Sequence, residues 1–329
     1  MCAAAPTLHR MSDTLTERGL TVADAAAITV VLAAMEAAEP IDETLSESDV
    51  IEELTAPGVD LTRTGIAVLD GDLLVGFGWL RVSPPSASWK ALPWVGVLPE
   101  YDSIGVGRRI ITHLEAKARA IRDADAPGLP GELKIWVEES RPSTAELVGQ
   151  LGYEAWRYFF RMRRDLTEPV PMRAELAGVL IRQYRTQDDD AVLEVSNASF
   201  GDHWGSTPMD RERWRAEFAD SPSFRPELSY LASVDDAVVS FVLTSEFEAD
   251  TEHRGYSTGY IARVGSLRSV RGRGIASALI SRTLAAMVTG GYRYAELGVD
   301  ADSPTGAGRI YQRAGFTAIG RNYVAGKHF

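Results

Sequence analysis

The sequence has little cysteine, no long apolar run and no excess of positive charge. Its single cysteine, Cys2, excludes a disulfide within the chain and a cysteine-rich metal site. No stretch reaches the roughly 18 consecutive apolar residues of a membrane-spanning helix. The 34 lysines and arginines are outnumbered by 46 acidic residues, giving a net charge of −12. This balance argues against a nucleic-acid-binding protein, whose affinity comes from cationic contacts to phosphates.

Metal-binding and nucleotide-binding signatures are also missing. The histidines show no pair at ligand spacing, so no metal site is predicted; they are His9, His113, His203, His253 and His328. Neither Gly-x-Gly-x-x-Gly nor Gly-Lys-Ser/Thr occurs, which argues against a Rossmann dinucleotide site and a P-loop.

Length and composition fit an ordinary globular protein. The 329 residues, 45% of them hydrophobic and 24% charged, suit two domains that each bury a core. The first 19 residues have no apolar core of the kind a signal peptide needs. They predict a short disordered lead, and we expect a cytoplasmic protein.

One pattern of small residues occurs twice, each time where an apolar run meets an amphipathic one. The complete copy is Arg271–Ala276 (RGRGIA), and a less complete copy, Asp102–Gly107 (DSIGVG), lies 169 residues earlier. Further along, Leu147–Tyr153 resembles Ile310–Phe316 at an offset of 163 residues. Two matched landmarks at similar spacing indicate an internal duplication.

The order of predicted helices and strands also repeats. Trp156–Arg163 is predicted to be the strand that closes the first half, and a proline-containing stretch, Asp165–Glu175, follows it. The sequence therefore predicts a first domain over residues 1–165, a linker over 166–178 and a second domain over 179–329.

The complete copy has the chemistry of a phosphate site. Gly272, Gly274 and Ala276 are small enough for backbone N–H groups to close on a phosphate at the start of a helix. Arg271 and Arg273 add positive charge. The pattern favours a pyrophosphate ligand, although an ordinary strand-to-helix turn can also be rich in glycine.

Together with Tyr311 in the segment Ile310–Phe316, this motif resembles the GCN5-related N-acetyltransferase superfamily. That family carries Arg/Gln-x-x-Gly-x-Gly/Ala, followed by Leu-Tyr-x-x-x-Gly-Phe. The tandem layout is most similar to the mycothiol-synthase-type branch. The resemblance implies two tandem α/β domains of this family, each a mixed, largely antiparallel sheet with one splayed pair of strands, flanked by helices. Two positions depart from the branch, which has Glu where Tyr260 stands and an aromatic residue where Gly298 stands.

The resemblance implies roles for individual residues in binding acetyl-coenzyme A, the co-substrate. Those that would surround the pyrophosphate are Arg271, Gly272, Arg273, Gly274, Ile275, Ala276 and Ser277. The strand that would pair with the pantetheine arm carries Val264, Gly265 and Ser266, and Ser303 would hydrogen-bond the same arm. Tyr311 would protonate the departing thiolate. The alternative for Tyr311 is an ordinary core aromatic.

The first half departs at the two positions that matter most for this chemistry. Asp102 stands where the second copy has Arg271, and a carboxylate beside a pyrophosphate is unfavourable. Val148 stands where the second copy has Tyr311, and valine cannot transfer a proton. The first half is therefore predicted to be a degenerate, structural copy. Residual coenzyme A binding is left open, and it would use Gly105, Gly107, Arg108 and Arg109.

The general base is less well determined. Strand periodicity places Glu246 on one face with Val242 and Thr244, so Glu246 is the favoured candidate. The alternatives, each of which could equally be a solvated loop residue, are Glu248, Asp202 and His203. Asp300 and Asp302 are interpreted as turn formers rather than bases.

The function predicted from the sequence is transfer of an acetyl group from acetyl-coenzyme A to a primary amine of a small molecule, by direct attack in a ternary complex. Two other interpretations remain open: a non-catalytic acyl-coenzyme A binding or sensing protein, and a structural protein that acts through protein contacts. No nucleic-acid or membrane partner is expected.

Overall fold

The computed structural model describes residues 15–201, 203–303 and 306–329. Packing divides the chain into two compact units. The first runs to Trp156 and includes Asn322–Phe329, and the second is Arg157–Arg321. The boundaries predicted from sequence follow the repeat, whereas these units follow contacts, so the two divisions describe different properties. In the described ranges, every helix is too short or too polar to cross a membrane.

The first unit is a largely antiparallel sheet with helices packed on it. Its strands are β1 (Leu15–Arg18), β2 (Ile66–Asp70), β3 (Leu73–Ser83), β4 (Trp89–Val97) and β5 (Gly131–Glu138). Its helices are α1 (Ala25–Ala38), α2 (Glu47–Thr55), α3 (Leu61–Thr64), α4 (Val106–Asp125) and α5 (Pro142–Gln150). The strands lie in chain order, and Asn322–His328 pairs beside β5. The predicted disordered lead was wrong for Leu15–Arg18, because β1 pairs with β2.

The second unit has the same design. Its strands are β6 (Glu154–Asp165), β7 (Leu180–Gln183), β8 (Tyr230–Val234), β9 (Ala237–Ser245), β10 (Thr258–Ser266) and β11 (Tyr294–Asp300). The last strand, β12 (Thr317–His328), begins in this unit, and its residues from Asn322 onward belong to the first. Its helices are α6 (Asp189–Phe200), α7 (Arg211–Trp214), α8 (Glu248–Arg254), α9 (Ile275–Thr289) and α10 (Ala307–Arg313). The strand order is β6-β11-β10-β9-β8-β7. Both sheets confirm the predicted mixed α/β class.

Each unit contains a strand that the sequence order would assign to the other half. Residues 159–165 of β6 pair with Tyr294–Asp300 in the second unit. In return, Asn322–His328 of β12 pairs with β5 in the first unit. The sequence predicted Trp156–Arg163 as the closing strand of the first half without predicting its partner, and the structure places that partner in the second unit. Period-two patterning specifies a strand but carries no information about which strand it pairs with.

One pair of parallel strands in each unit separates after three residue pairs. In the first unit Trp89–Ala91 pairs with Gly131–Leu133. In the second, Thr258–Tyr260 pairs with Tyr294–Glu296, and β10 and β11 then continue without pairing to each other. This geometry confirms the predicted splayed strands. The facing edges beyond the last pair have backbone groups that an extended ligand can pair with.

The helices are positioned by burial of one face and by close approach to the sheet. In the first unit, Ile110 and Leu114 of α4 are fully buried against β3. A side chain at Gly78 of β3 would come within 2.6 Å of the Ile110 side chain, so glycine allows this approach. In the second unit Leu279, Ile280 and Leu284 of α9 are fully buried in the same way.

Gly315 follows α10 at a position where we predict that only glycine is tolerated. Its φ is +88°, and a Cβ atom there would overlap Nη1 of Arg164. Arg164 is 3% exposed and donates to the carbonyls of Ala314 and Pro169, so the guanidinium cannot move without losing these bonds. Gly315→Ala is expected to lower the free energy of unfolding by about 3 kcal/mol, combining backbone strain with a displaced buried charge.

Gly152 provides a matched control for this prediction. It occupies the corresponding place in the first half, with φ +80° and no atom within 4 Å of an added Cβ. Gly152→Ala should therefore cost only the backbone strain, about 1–2 kcal/mol. Urea unfolding of both variants measures the difference. Equal losses would show that Arg164 yields freely to the added methyl group.

Candidate catalytic and coenzyme-binding site

The loop that precedes α9 is open and rich in left-handed backbone. After one helical turn at Arg268–Val270, Arg271 is extended, and Gly272 and Gly274 have φ values of +77° and +82°. These left-handed positions explain the two glycines. The first N–H groups of α9, from Ile275 to Ser277, have no carbonyl four residues earlier in the helix. The loop therefore presents backbone donors at a helix start, which is an arrangement suited to an anion.

The two arginines of the loop have different surroundings. Arg271 donates from Nε to the Ser266 carbonyl at 3.2 Å and from Nη2 to the Ser199 carbonyl at 3.0 Å. It thereby fastens the loop to the end of β10 and the end of α6. Arg273 is exposed, and within the described residues its side chain has no recorded hydrogen bond or ion pair. Arg271 thus shapes the loop, whereas Arg273 is the available charge.

The end of β10 presents a backbone edge toward the gap between β10 and β11. The Leu267 N–H donates to Val239 of β9 at 2.9 Å. The backbone groups of successive strand residues point to opposite sides, so the N–H and C=O of Gly265 also point toward β9. Those of Val264 and Ser266 point away from β9, toward the gap. The bond from Arg271 to the Ser266 carbonyl agrees with this direction. A side chain at Gly265 would collide with the ring of Phe241.

Tyr311 lies on α10, the helix that follows β11. It is 9% exposed and packs edge-on against Phe316, with ring centroids 6.1 Å apart. Burial, with a smaller contribution from the nearby Tyr260, raises the pKa of its phenol above the usual value. The phenol therefore stays protonated at neutral pH, as a proton donor must, although it is a weaker acid. Val148, its counterpart on α5, is 2% exposed and belongs to the core of the first unit.

Glu246, the favoured base, follows the last residue of β9 and is engaged by neighbours. Its Oε2 accepts from Arg225 Nε at 3.0 Å and from the Tyr292 hydroxyl at 2.6 Å. Burial and this hydrogen bond raise the pKa of Tyr292. Thr251 Oγ1 lies 3.4 Å from Oε1. A role in proton removal would use the Oε1 side, where the described contact is weaker.

The other candidates for the base have their own partners. Glu248 is exposed and contacts Arg225 Nη2 at 3.1 Å. The His203 ring packs on Phe200, with centroids 4.7 Å apart. Asp202 lies outside the described residues. Asp300 binds Arg157 through both oxygens at 2.8 Å and accepts the Asp302 N–H at 3.0 Å, as expected of a turn former. Ser303 lies in the same turn, where its N–H donates to the Asp300 carbonyl.

The corresponding loop in the first unit has a different conformation. Pro99–Ile104 forms a 3₁₀ helix six residues long, and Gly105 is the left-handed residue that follows it. Desolvation, and then the charge of Glu39, raise the pKa of Asp102 to about 6. Arg108 binds Gln150, and Arg109 binds Glu17. This loop therefore differs from the one before α9 in its single left-handed glycine and its acidic residue, while the first N–H groups of α4, like those of α9, have no carbonyl four residues earlier in the helix.

Several residues around the site were not predicted from sequence. Arg225 and Tyr292, the partners of Glu246, lie 21 and 46 residues from it in the chain, and no local pattern indicates either contact. Arg263, which follows an irregularity in the pairing of β10 with β9, is partly buried. The sequence signal that could have identified it is Arg263 itself, because a charged residue in an otherwise apolar strand is unusual.

Four aromatic side chains of the second unit divide into two groups by their exposure. Trp214 and Phe224 are 1% and 8% exposed and belong to the core beside α6. Trp204 is 39% exposed, and Tyr230 is partly exposed. Within the described residues, no group of three or more His, Cys, Asp or Glu side chains is arranged to hold a metal ion.

Comparison with known proteins gives a consistent result. The profile of the acetyltransferase (GNAT) family matches residues 190–316. The chain is 31% identical over 289 residues to a mycothiol acetyltransferase of Salinispora arenicola, covering 85% of this chain and 84% of that one. It is 29% identical over 293 residues to a mycothiol acetyltransferase of Thermobispora bispora, covering 86% and 92%.

Solved structures agree on the fold. A GCN5-related N-acetyltransferase from Sphaerobacter thermophilus is 26% identical with a TM-score of 0.75, and the match covers 96% of both chains. A tandem GNAT protein from the clavulanic acid biosynthesis pathway has a TM-score of 0.71 at 17% identity, over 95% of this chain and 98% of that one. The chain therefore belongs to the GNAT acetyltransferase family, as an N-acetyltransferase of the tandem, mycothiol-synthase type.

Proposed function

We propose that this enzyme transfers an acetyl group from acetyl-coenzyme A to a primary amine of a small molecule, by direct attack in a ternary complex in the second unit. The observation that carries the proposal is the open glycine loop before α9, beside the gap between β10 and β11, with Tyr311 on the helix that follows β11. The loop is suited to a pyrophosphate, the gap to an extended pantetheine arm, and the Tyr311 phenol to protonation of a leaving thiolate.

The residues before and at the start of α9 are suited to the pyrophosphate. The N–H groups of Ile275, Ala276 and Ser277 supply donors at the positive end of the helix dipole. Gly272 and Gly274 keep the loop open, and Arg271 holds its shape. Arg273 supplies the exposed charge. The Ser303 hydroxyl, in the turn after β11, is assigned to the pantetheine arm.

The edge of β10 is suited to the pantetheine amides and the thioester. Val264 and Ser266 offer backbone donors and acceptors toward the gap, and Gly265 supports them from the β9 side. A backbone N–H aimed at the thioester oxygen would stabilise the negative charge that develops there during attack. Tyr311 would then give its proton to the departing sulfur.

The amine must lose a proton to become a nucleophile. We assign this role to Glu246. It would take the proton directly or through water at Oε1, the oxygen that does not accept from Arg225 or Tyr292. Glu248, His203 and Asp202 remain the alternatives. In the first unit, Asp102 in the place of Arg271 and Val148 in the place of Tyr311 favour a structural copy that does not turn over.

The acceptor is assigned as a small-molecule amine and no further. Tyr260 and Gly298 depart from the mycothiol-synthase-type pattern, and the two positions are coupled, because a Cβ at Gly298 would lie 3.3 Å from the Tyr260 hydroxyl. The acceptor that the names of the relatives indicate is therefore not assigned to this enzyme, and it is only one of the amines to be tested.

Release of free thiol from acetyl-coenzyme A with a panel of primary amines tests the proposal. We expect amine-dependent thiol release well above hydrolysis, and an acetylated amine identified by mass spectrometry. Coenzyme A binding by calorimetry without turnover of any amine would favour a binding or sensing protein instead. Absence of coenzyme A binding would favour a structural role.

A further inference from the structure

Arg263 is a partly buried cation on β10 that the proposed acetyl transfer does not use. It follows the register shift between Ile261 and Arg263, next to the strand edge at Val264. Its Nε donates to Ser196 Oγ at 2.8 Å, and its guanidinium lies over the Phe200 ring, 4.0 Å from the centroid. Both partners are on α6, so the side chain is held in one orientation.

The partners recorded for this guanidinium are neutral. Over residues 15–201, 203–303 and 306–329, no acidic side chain lies within ion-pairing distance of Arg263. The nearby charges are Glu217 and Arg213, which bind each other at 2.7 Å and so contribute little net charge. Burial lowers the pKa of Arg263 to about 10, yet the group stays charged at neutral pH. A desolvated charge without a counterion is costly in a folded protein.

Arg263 lies on the side of β10 that faces α6. Ile261 and Val264 pack into the core with α9, whereas Gly265 faces Phe241 in the core beside α6. Tyr260, near the point where β10 and β11 separate, has its hydroxyl beside Gly298 of β11. Arg263 is therefore close to the thioester position proposed above, but on the α6 side of the strand.

We propose that Arg263 binds a carboxylate of the acceptor, so that the acceptor is an amine that also carries a carboxylate. This inference rests on the proposed acetyl transfer. The Nη atoms form a planar pair of donors that matches a carboxylate in two parallel hydrogen bonds. Ser196 and Phe200 fix that plane in advance, which reduces the entropy lost on binding. One net positive charge matches one carboxylate better than a phosphate dianion.

The test compares acceptors that differ only in the carboxylate. Probes are L-phenylalanine with phenethylamine, L-lysine with cadaverine, and β-alanine with ethylamine, in the thiol-release assay on the full-length enzyme. Wild type should prefer the acid of at least one pair. Arg263→Gln should raise KM for that acid about 10- to 100-fold, the range for a lost hydrogen bond to a charged group, and change the acid-free amine little. Arg263→Lys should restore part of the loss.

Arg282→Gln, an exposed change on α9, is the matched control and should leave both members of each pair unchanged. Arg263→Glu should invert the preference toward the acid-free or dicationic amine. Preference of wild type for the acid-free members, or equal losses for both members in Arg263→Gln, would overturn the proposal. Calorimetry with acetyl-coenzyme A should be unaffected by Arg263→Gln, which shows that the variant is folded.

A binding measurement keeps this inference separate from the proposed function. With coenzyme A present, N-acetyl-L-phenylalanine and N-acetyl-L-lysine should bind wild type more tightly than their amides, and Arg263→Gln should remove the difference. If no amine releases thiol but this difference is found, acetyl transfer fails and the carboxylate site stands. If thiol is released but the acids and amides bind alike, the carboxylate site fails and acetyl transfer stands.

Discussion

Tyr311→Phe should lower kcat about 100-fold or more while changing acetyl-coenzyme A affinity by less than about twofold, because general acids commonly contribute 10²- to 10⁴-fold. The substitution removes one hydroxyl and keeps the ring that packs on Phe316. The thiolate would then leave without a proton from the enzyme. Steady-state thiol release gives kcat, and calorimetry gives the affinity.

Tyr101→Phe is the control for loss of a buried phenol. Its hydroxyl donates to Asp70 at 3.0 Å in the first unit, so its removal should affect stability but not kcat. The raised pKa of Tyr311 adds a second expectation: ionisation of this phenol should cause no fall in kcat up to about pH 9.5, half a unit below the usual phenol pKa. An unchanged kcat in Tyr311→Phe would remove the proposed proton transfer.

Arg271→Glu should weaken acetyl-coenzyme A binding about 100-fold, equivalent to about 2.7 kcal/mol. The new carboxylate would face the carbonyls of Ser266 and Ser199, which now accept from Arg271, and it would repel the pyrophosphate. Calorimetry measures the dissociation constant. Arg271→Lys separates the two causes, since it keeps the charge and loses the two-carbonyl bridge.

Arg108→Glu in the first unit is the matched control, because Arg108 follows the corresponding helix start and binds Gln150. We expect it to change affinity less than about threefold, a cost below 1 kcal/mol. Arg273→Glu should fall between the two, as it reverses an exposed charge without disturbing the loop. Comparable losses in Arg271→Glu and Arg108→Glu would contradict the assignment of coenzyme A to the second unit.

Much of the local structure could be predicted from sequence. The helical spacing of apolar residues over Gly107–Arg122 and Gly274–Val288 is visible in the sequence and predicts α4 and α9 to within a few residues. The glycines before α9 predicted a strand-to-helix junction with accessible backbone, and the structure adds that Gly272 and Gly274 are left-handed. These features depend on neighbours in the chain, which is why a single sequence contains them.

The rest depends on contacts between distant residues. The exchange of β6 and β12 between the units is a choice of pairing partner, and strand periodicity does not encode it. The turn at Pro99–Ile104 and the loop at Arg271–Gly274 have similar spacing but different backbone conformations. Glu246 was predicted as a base from its strand face, and its bonds to Arg225 and Tyr292 could not be foreseen.

The pairing of Asn322–His328 with β5 has a consequence for synthesis of the chain on the ribosome. The first unit needs this segment to complete its sheet, yet translation delivers it only after the whole of the second unit, Arg157–Arg321. Until then β5 presents an unpaired edge, the kind of surface at which nascent chains aggregate or recruit chaperones. We therefore expect the first unit to reach its native structure only after the second unit has been synthesised, so that the two units fold together rather than in succession.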